Sequence, residues 1–218
     1  MNNKKNIIII FICFFSFFSY AQNSYKLAVL KYNGGGDWYA NPTSLKNLVK
    51  FCNKNIYTNI KENVATVEVS SKDIFNYPFI HMTGHGNVVF NEEEINNLQT
   101  YLLAGGFLHI DDNYGMDKFI RREIEKLFPN NKLEILSDNH PIFNIKYKFE
   151  KLPKIHEHNQ NPAQALGIVK DGRLLLLYTY ESDLGDGWED KEIHNDSDEV
   201  RTKALKMGAN IIKYVFTH

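Results

Sequence analysis

"GGFLHIDDNYG", Gly105 to Gly115, decides how this chain reads. Two glycines suit the end of a preceding helix. Phe107 to Ile110 is then a short, mostly apolar strand, and it delivers two carboxylates, Asp111 and Asp112, where a sheet opens to solvent. Acids at that position serve either a ligand or a helix cap. Side chains alternate along a strand, so both reach one ligand only if the chain turns at Asp112. Asn113, Tyr114 and Gly115 suit such a turn. One of the pair is therefore expected at a ligand and the other in a structural role.

Working outward, the flanks alternate between strand and helix patterns. "YKLAVLKY" (25–32), "VATVEVS" (64–70), Phe79 to Met82, and "KLEIL" (132–136) read as strands. A helix carries Leu45, Leu48, Val49 and Cys52 on one face, with Asn41 and Pro42 at its cap and first turn. Asn91 and Glu94 form a capping box that opens a second helix. A third runs from about Phe119 to Phe128 and stops at Pro129, and a last one spans Asp198 to about Phe216. Asp171-Gly172 joins two apolar strands as a hairpin. The alternation predicts an open α/β fold: a mostly parallel sheet, helices on both faces, and an antiparallel hairpin at one edge.

Ligands in such sheets bind outside the carboxyl ends of the strands. Three polar loops fall there: Gly34-Gly35-Gly36 after Tyr32, Gly84-His85-Gly86 after Met82, and Asp111-Asp112-Asn113. Asp37, Trp38 and Tyr39 follow the glycines, and a carboxylate beside two aromatics suits a sugar ring as well as ordinary packing. Glu181 and Asp183 leave another strand and enter an acidic loop that contains Trp188. The candidate ligand-binding set is Asp37, Trp38, Tyr39, His85, Asp111, Asp112, Asn113, Glu181, Asp183 and Trp188, with no catalytic residue assigned. His109 reads as a core histidine with a partner. His156 and His158 have the H-x-H spacing of a metal pair but lack an identified third ligand, so they read as part of a solvated loop. A divalent cation is compatible with the paired carboxylates and histidines, although no complete metal motif is present.

Several chemistries are excluded or disfavoured. The glycines lack the spacing and the lysine of a phosphate loop. No Gly-x-Ser-x-Gly elbow and no H-E-x-x-H helix occurs. The first 21 residues read as a signal peptide: Lys4 and Lys5, an apolar run from Ile7 to Phe15, and Ser19-Tyr20-Ala21 before the cut. That run is shorter than a membrane span, and no second one follows. Residues 22–218 then form a single exported domain, periplasmic or secreted. Cleavage removes two of the 25 basic residues and none of the 26 acidic ones, which argues against nucleic acid as a partner. Only Cys52 remains, so no internal disulfide forms.

"YNGGGDWY", "YPFIHMTGHG", "GGFLHIDDN", "SDLGDGWED" and "RTKALKMGANIIKYVFT" together resemble a bacterial family of domains of unknown function, number 4159, over nearly the whole mature chain. More remotely, "GGFLHID", "NHPIF" (139–143) and the late strand pair resemble the ThuA-like branch of the class I glutamine amidotransferase-like fold. That resemblance implies a flavodoxin-like three-layer sandwich, and the ThuA-like link to sugar utilisation implies carbohydrate. In those amidotransferases a cysteine nucleophile occupies the turn that here holds Asp111 to Asn113, so cysteine-based glutamine hydrolysis is not expected. Two readings of function follow. In the first, a polar small molecule is bound or hydrolysed at the rim; in the second, the rim of a noncatalytic module contacts an envelope protein.

Overall fold

The computed structural model describes residues 24–218. The expected signal peptide and Cys13 lie outside the described residues. The chain runs β1 (Ala28–Lys31), α1 (Ser44–Asn55), β2 (Ala65–Glu68), β3 (Phe79–Gly84), α2 (Glu92–Leu103), β4 (Phe107–Asp112), α3 (Asp117–Leu127), β5 (Glu134–Ile135), β6 (Gln164–Lys170), β7 (Arg173–Tyr180), α4 (Leu184–Trp188), α5 (Lys191–His194) and α6 (Asp198–Val215). Among these residues the strands form one seven-stranded sheet in the order β2-β1-β3-β4-β7-β6-β5. Neighbours from β2 to β7 are parallel, while β6 and β5 add on antiparallel. The alternation of strand and helix, the mostly parallel sheet and the edge hairpin are as the sequence leads one to expect.

Strand alternation assigns the two faces. Ile80, Met82, Leu108, Ile110, Leu176 and Tyr178 pack with Leu98 and Leu102 of α2 and Ile120 and Ile124 of α3. Phe79, Phe107 and Leu177 pack on the opposite face with α1, α4 and α6, through Leu45, Leu48, Leu184, Trp188, Ala204 and Ile211. Three layers result. Strands covered on both sides read as continuous apolar runs, as "RLLLLY" in β7 does. At the hairpin, Asp171 and Gly172 both take positive φ, 52° and 79°, which a two-residue turn of this kind demands.

The capping box forms as expected: Asn91 Oδ1 accepts from the Glu94 amide, and Glu94 Oε2 accepts from the Asn91 amide. Cys52 is buried on the inner face of α1. The expected start of α1 needs correction. The helix begins at Ser44 with Thr43 as its cap, because Asn41 is drawn into buried side-chain bonds and does not cap the helix. β1, β2 and β5 are shorter than their apolar runs, and β5 keeps two residues because it pairs on one side only, at the sheet's edge.

Candidate functional site

The first two of the three loops expected at the carboxyl rim are locked together by backbone bonds. Gly36 N donates to Asn87 O (2.9 Å), and Val89 N donates to Asn33 O (2.9 Å). Gly36 allows this approach: a Cβ there would lie 2.7 Å from His85 O and 2.8 Å from Asn87 O. The glycine-rich loop thus approaches the neighbouring loop. It carries Asp37 to His85, where Oδ2 sits 3.0 Å from Nδ1 and Oδ1 accepts from the His85 amide. Half of the His85 side chain is exposed, so this pair stands at the open rim. Trp38 and Tyr39 pack edge to face, and with Asn41, Pro42, Lys46 and Thr83 they line a cavity of about 220 Å³.

The carboxylates of Asp111 and Asp112 do not converge. β4 stays extended through Asp112, so the two side chains leave opposite faces. Asp111 Oδ2 accepts from the Gly185 amide (2.6 Å), and Oδ1 accepts from the Leu184 amide (3.3 Å) and from the Thr179 hydroxyl. Asp112 Oδ1 accepts from the Met116 amide (2.9 Å), and Oδ2 from the Tyr178 hydroxyl (3.1 Å). Both are buried. Asn113 is buried as well; its Oδ1 accepts from Thr83 and its Nδ2 donates to Asn41 Oδ1. Burial pushes Asp111 up to about 7 against the opposing bonds from Thr179 and Gly185, and raises Asp112 also.

Beneath this edge, on the α4 face, the buried His81 and His109 meet Nδ1 to Nδ1 at 3.1 Å, and His109 Nε2 lies 3.1 Å from Thr179 Oγ1. His109 is the partnered core histidine expected of it. Burial drives His81 down to about 3, and burial with the neighbouring His81 drives His109 well below its ordinary value. Trp188 closes this pocket from α4, fully buried, with Nε1 donating to Ala204 O at 2.9 Å. Its expected place in an acidic loop at the rim is therefore corrected: "LGDGW" is a short buried helix, because Gly187 lies close against Ala204 and Ile155 with no Cβ in the way.

The densest chemistry lies where β7 leaves the sheet. Glu181 and Asp183 both adopt left-handed backbone (φ 56° each), a conformation that costs side-chain-bearing residues of order 1 kcal/mol or more. Glu181 Oε2 lies 3.3 Å from Lys154 Nζ. Asp183 Oδ2 lies 2.5 Å from His158 Nε2, while Asp183 Oδ1 is buried without a hydrogen-bond partner. Burial, reinforced by the charges of Asp111 and Asp186, pushes Asp183 up to about 8. His158 is one-third exposed and stacks on Tyr114, with centroids 4.7 Å apart.

The H-x-H pair does lie on a largely exposed loop without helix or strand, but both of its histidines are paired with acids. Its histidines diverge, His158 to Asp183 and His156 to Asp186 (Nδ1 to Oδ2, 2.9 Å). Asp196 holds the other nitrogen of His156 at 3.0 Å, and His194 Nε2 comes within 3.7 Å of Asp186 Oδ1. The bond from Asp186 leads in raising His156 to about 9, and although burial opposes it, the same bond holds Asp186 below the usual carboxylate range. Sequence reasoning missed Asp186, His194 and Asp196 as partners. The available signal was a histidine recurring among acids in "HNDSDE" just after "GDGWED".

Cys52 sits in the core of α1, and burial raises its thiol far above the ordinary range, so it offers no nucleophile at this rim. Among the described residues no helix is long and apolar enough to cross a membrane.

The chain belongs to the family described as a domain of unknown function, DUF4159, whose model matches residues 26–216. No curated protein matches the sequence significantly.

Proposed function

We propose that this protein is exported and binds or hydrolyses a polar small molecule of the carbohydrate class at the carboxyl rim of its sheet. The observation that carries the reading is Asp183: one oxygen engages His158 at 2.5 Å, and the other is buried with no partner. A buried polar atom without a bond costs about 1–3 kcal/mol, a cost that a ligand hydroxyl would remove once the rim opens to this oxygen, which is closed to solvent in this structure. A carboxyl that keeps its proton near neutrality beside an imidazole is also suited to acid–base transfer. Tyr114 supplies a half-exposed ring against His158, and Trp38 and Tyr39 line a cavity whose wall includes Asn41. Asn41 in turn donates to Asp186, linking that cavity to the acidic cluster.

The strand order β2-β1-β3-β4-β7 supports a flavodoxin-like class, since it reproduces the 2-1-3-4-5 order in which ligands sit near the β1/β3 switch point. The Asp37–His85 pair stands at that point. The ThuA-like resemblance supports carbohydrate. A second reading, an envelope module that docks a protein on this rim, is favoured by the exposure of Tyr39 and Tyr114.

The test is thermal unfolding against a panel of mono- and oligosaccharides, with wild type run beside Asp183→Asn. A sugar at a hundredfold excess over its dissociation constant adds about 2.7 kcal/mol to the native state. A raised midpoint that disappears in a folded Asp183→Asn protein supports the reading. No shift with any sugar, or a shift unchanged in the variant, contradicts it.

A further inference from the structure

We propose that His156, Asp186 and His194 form a binding site for a divalent transition-metal ion of the zinc class. The three come from separate segments: the loop before β6, helix α4 and helix α5. One donor atom from each lies within 4.8 Å of the others. Zinc bonds nitrogen and oxygen at about 2.0–2.2 Å, which spaces donors around one ion roughly 3 to 3.5 Å apart. His156 Nδ1 lies 2.9 Å from Asp186 Oδ2 and His194 Nε2 3.7 Å from Asp186 Oδ1, so two imidazoles meet the two oxygens of one carboxylate on the scale of that spacing.

The surrounding bonds resemble the outer shell of a metal site. Asp196 engages His156 Nε2 through both oxygens, at 3.0 and 3.1 Å, which leaves Nδ1 to face the cluster. A carboxylate on the far nitrogen of a ligating histidine fixes its ring and strengthens it as a donor. Asn41 Nδ2 donates to Asp186 Oδ1 at 2.6 Å and holds that carboxylate in place. Glu189 Oε2 lies 3.6 Å from His194 Nε2, beside the three-residue cluster, and orients that imidazole; its other oxygen is anchored by the amide and hydroxyl of Thr43, each at 3.0 Å. The side chains of His156 and His194 are about a quarter exposed, which gives the ion a way in.

Two imidazoles and carboxylate oxygen form a donor set that selects zinc, cobalt or nickel over magnesium and calcium, which take oxygen. His158 is excluded because its Nε2 is committed to Asp183. The site shares no ligand with the sugar rim, although Asn41 and the charge of Asp186 connect the two, so each proposal is tested with its own ligand and its own variants.

The experiment uses chelator-treated protein titrated with Zn²⁺ and Co²⁺, following the unfolding midpoint and the visible absorption of Co²⁺. The expected result is one equivalent bound, a raised midpoint, and Co²⁺ bands of a low-symmetry nitrogen–oxygen site. His194→Gln and Asp186→Asn should each weaken binding at least tenfold, and Asp196→Asn by tenfold to a hundredfold, as outer-shell losses do. His158→Gln should leave metal affinity unchanged. Metal-free melts of each variant establish that it is folded. The proposal is overturned by the absence of any Zn²⁺ or Co²⁺ effect, which would make the cluster an ion-pair network only. Unchanged affinity in folded His194→Gln, a loss in His158→Gln equal to that in His194→Gln, or Mg²⁺ binding as tight as Zn²⁺ would overturn it too.

Discussion

Asp111 and Asp112 are adjacent at the end of β4, yet their carboxylates serve opposite faces of the sheet. Asp111 accepts the Leu184 and Gly185 amides at the start of α4, and Asp112 accepts the Met116 amide ahead of α3. The pair thus fixes one helix on each face, and the buried carboxylate oxygen without a partner belongs instead to Asp183, beside His158.

Asp111→Ala should therefore act on stability. It leaves the buried Leu184 and Gly185 amides without their acceptor, each at about 1–3 kcal/mol, while the Thr179 hydroxyl keeps Ile110 O at 3.2 Å. Asp112→Ala should cost less, about 1 kcal/mol for the lost amide bond, because the Tyr178 hydroxyl keeps Asp117 Oδ1 at 2.9 Å. Urea unfolding of both variants checks the order. An Asp111→Ala protein as stable as wild type would refute the structural role.

The acid limb of the stability curve should be set by His81 and His109. Their folded values are depressed, so their contribution is complete above about 6.5 and is lost as pH falls towards 3. Each imidazole that gains its proton only on unfolding gives a slope of about 1.4 kcal/mol per pH unit. Asp111 and Asp183 act in the opposite sense: their folded values are raised, and their contribution is lost as pH rises from about 4 to 7 and 8. The measurement is the difference between wild type and His81→Phe in urea unfolding from pH 7 to pH 4. The variant's stability should fall less steeply on acidification, and parallel curves would contradict the assignment.

Gly36→Ala should displace His85. The added methyl meets two carbonyl oxygens of the facing loop, His85 O and Asn87 O, which cannot yield as a flexible side chain would. Overpacking of this kind costs about 1–3 kcal/mol. Gly35→Ala is the control: it meets nothing within 4 Å, so it carries only the strain of its positive φ. Comparing the His85 ring resonances of the two variants checks the prediction, with a large shift expected for Gly36→Ala alone.

The layered fold was legible because apolar strands, helix caps and the Asp-Gly turn are local signals. Asn91 and Glu94, three residues apart, cap their helix wherever it packs. The site was only half legible. Asp37 and His85 are 48 residues apart, and only the parallel neighbours β1 and β3 bring them together. His158 and Asp183 meet through a turn at β7 with left-handed backbone at Glu181 and Asp183; aspartate tolerates that conformation, but glutamate gives no local signal for it. Trp188 misled for a related reason. "LGDGWED" has the composition of a loop, and only contact of Gly187 and Gly208 with the neighbouring helices makes it a buried turn of helix.

The two tryptophans should behave differently in solution. Trp188 is fully buried, whereas Trp38 is partly exposed and lines the cavity. Iodide should quench Trp38 and spare Trp188, as read from Trp38→Phe and Trp188→Phe proteins. A sugar that perturbs fluorescence should do so in Trp188→Phe and not in Trp38→Phe.

The account turns on the Asp183 carboxyl, so its ¹³C resonance, followed from pH 4 to pH 10 with and without a sugar that raises the melting midpoint, is the most direct measurement. We expect an apparent titration near pH 8 and a resonance that moves when the sugar binds. A carboxyl that titrates near pH 4 and is indifferent to the sugar would contradict the account.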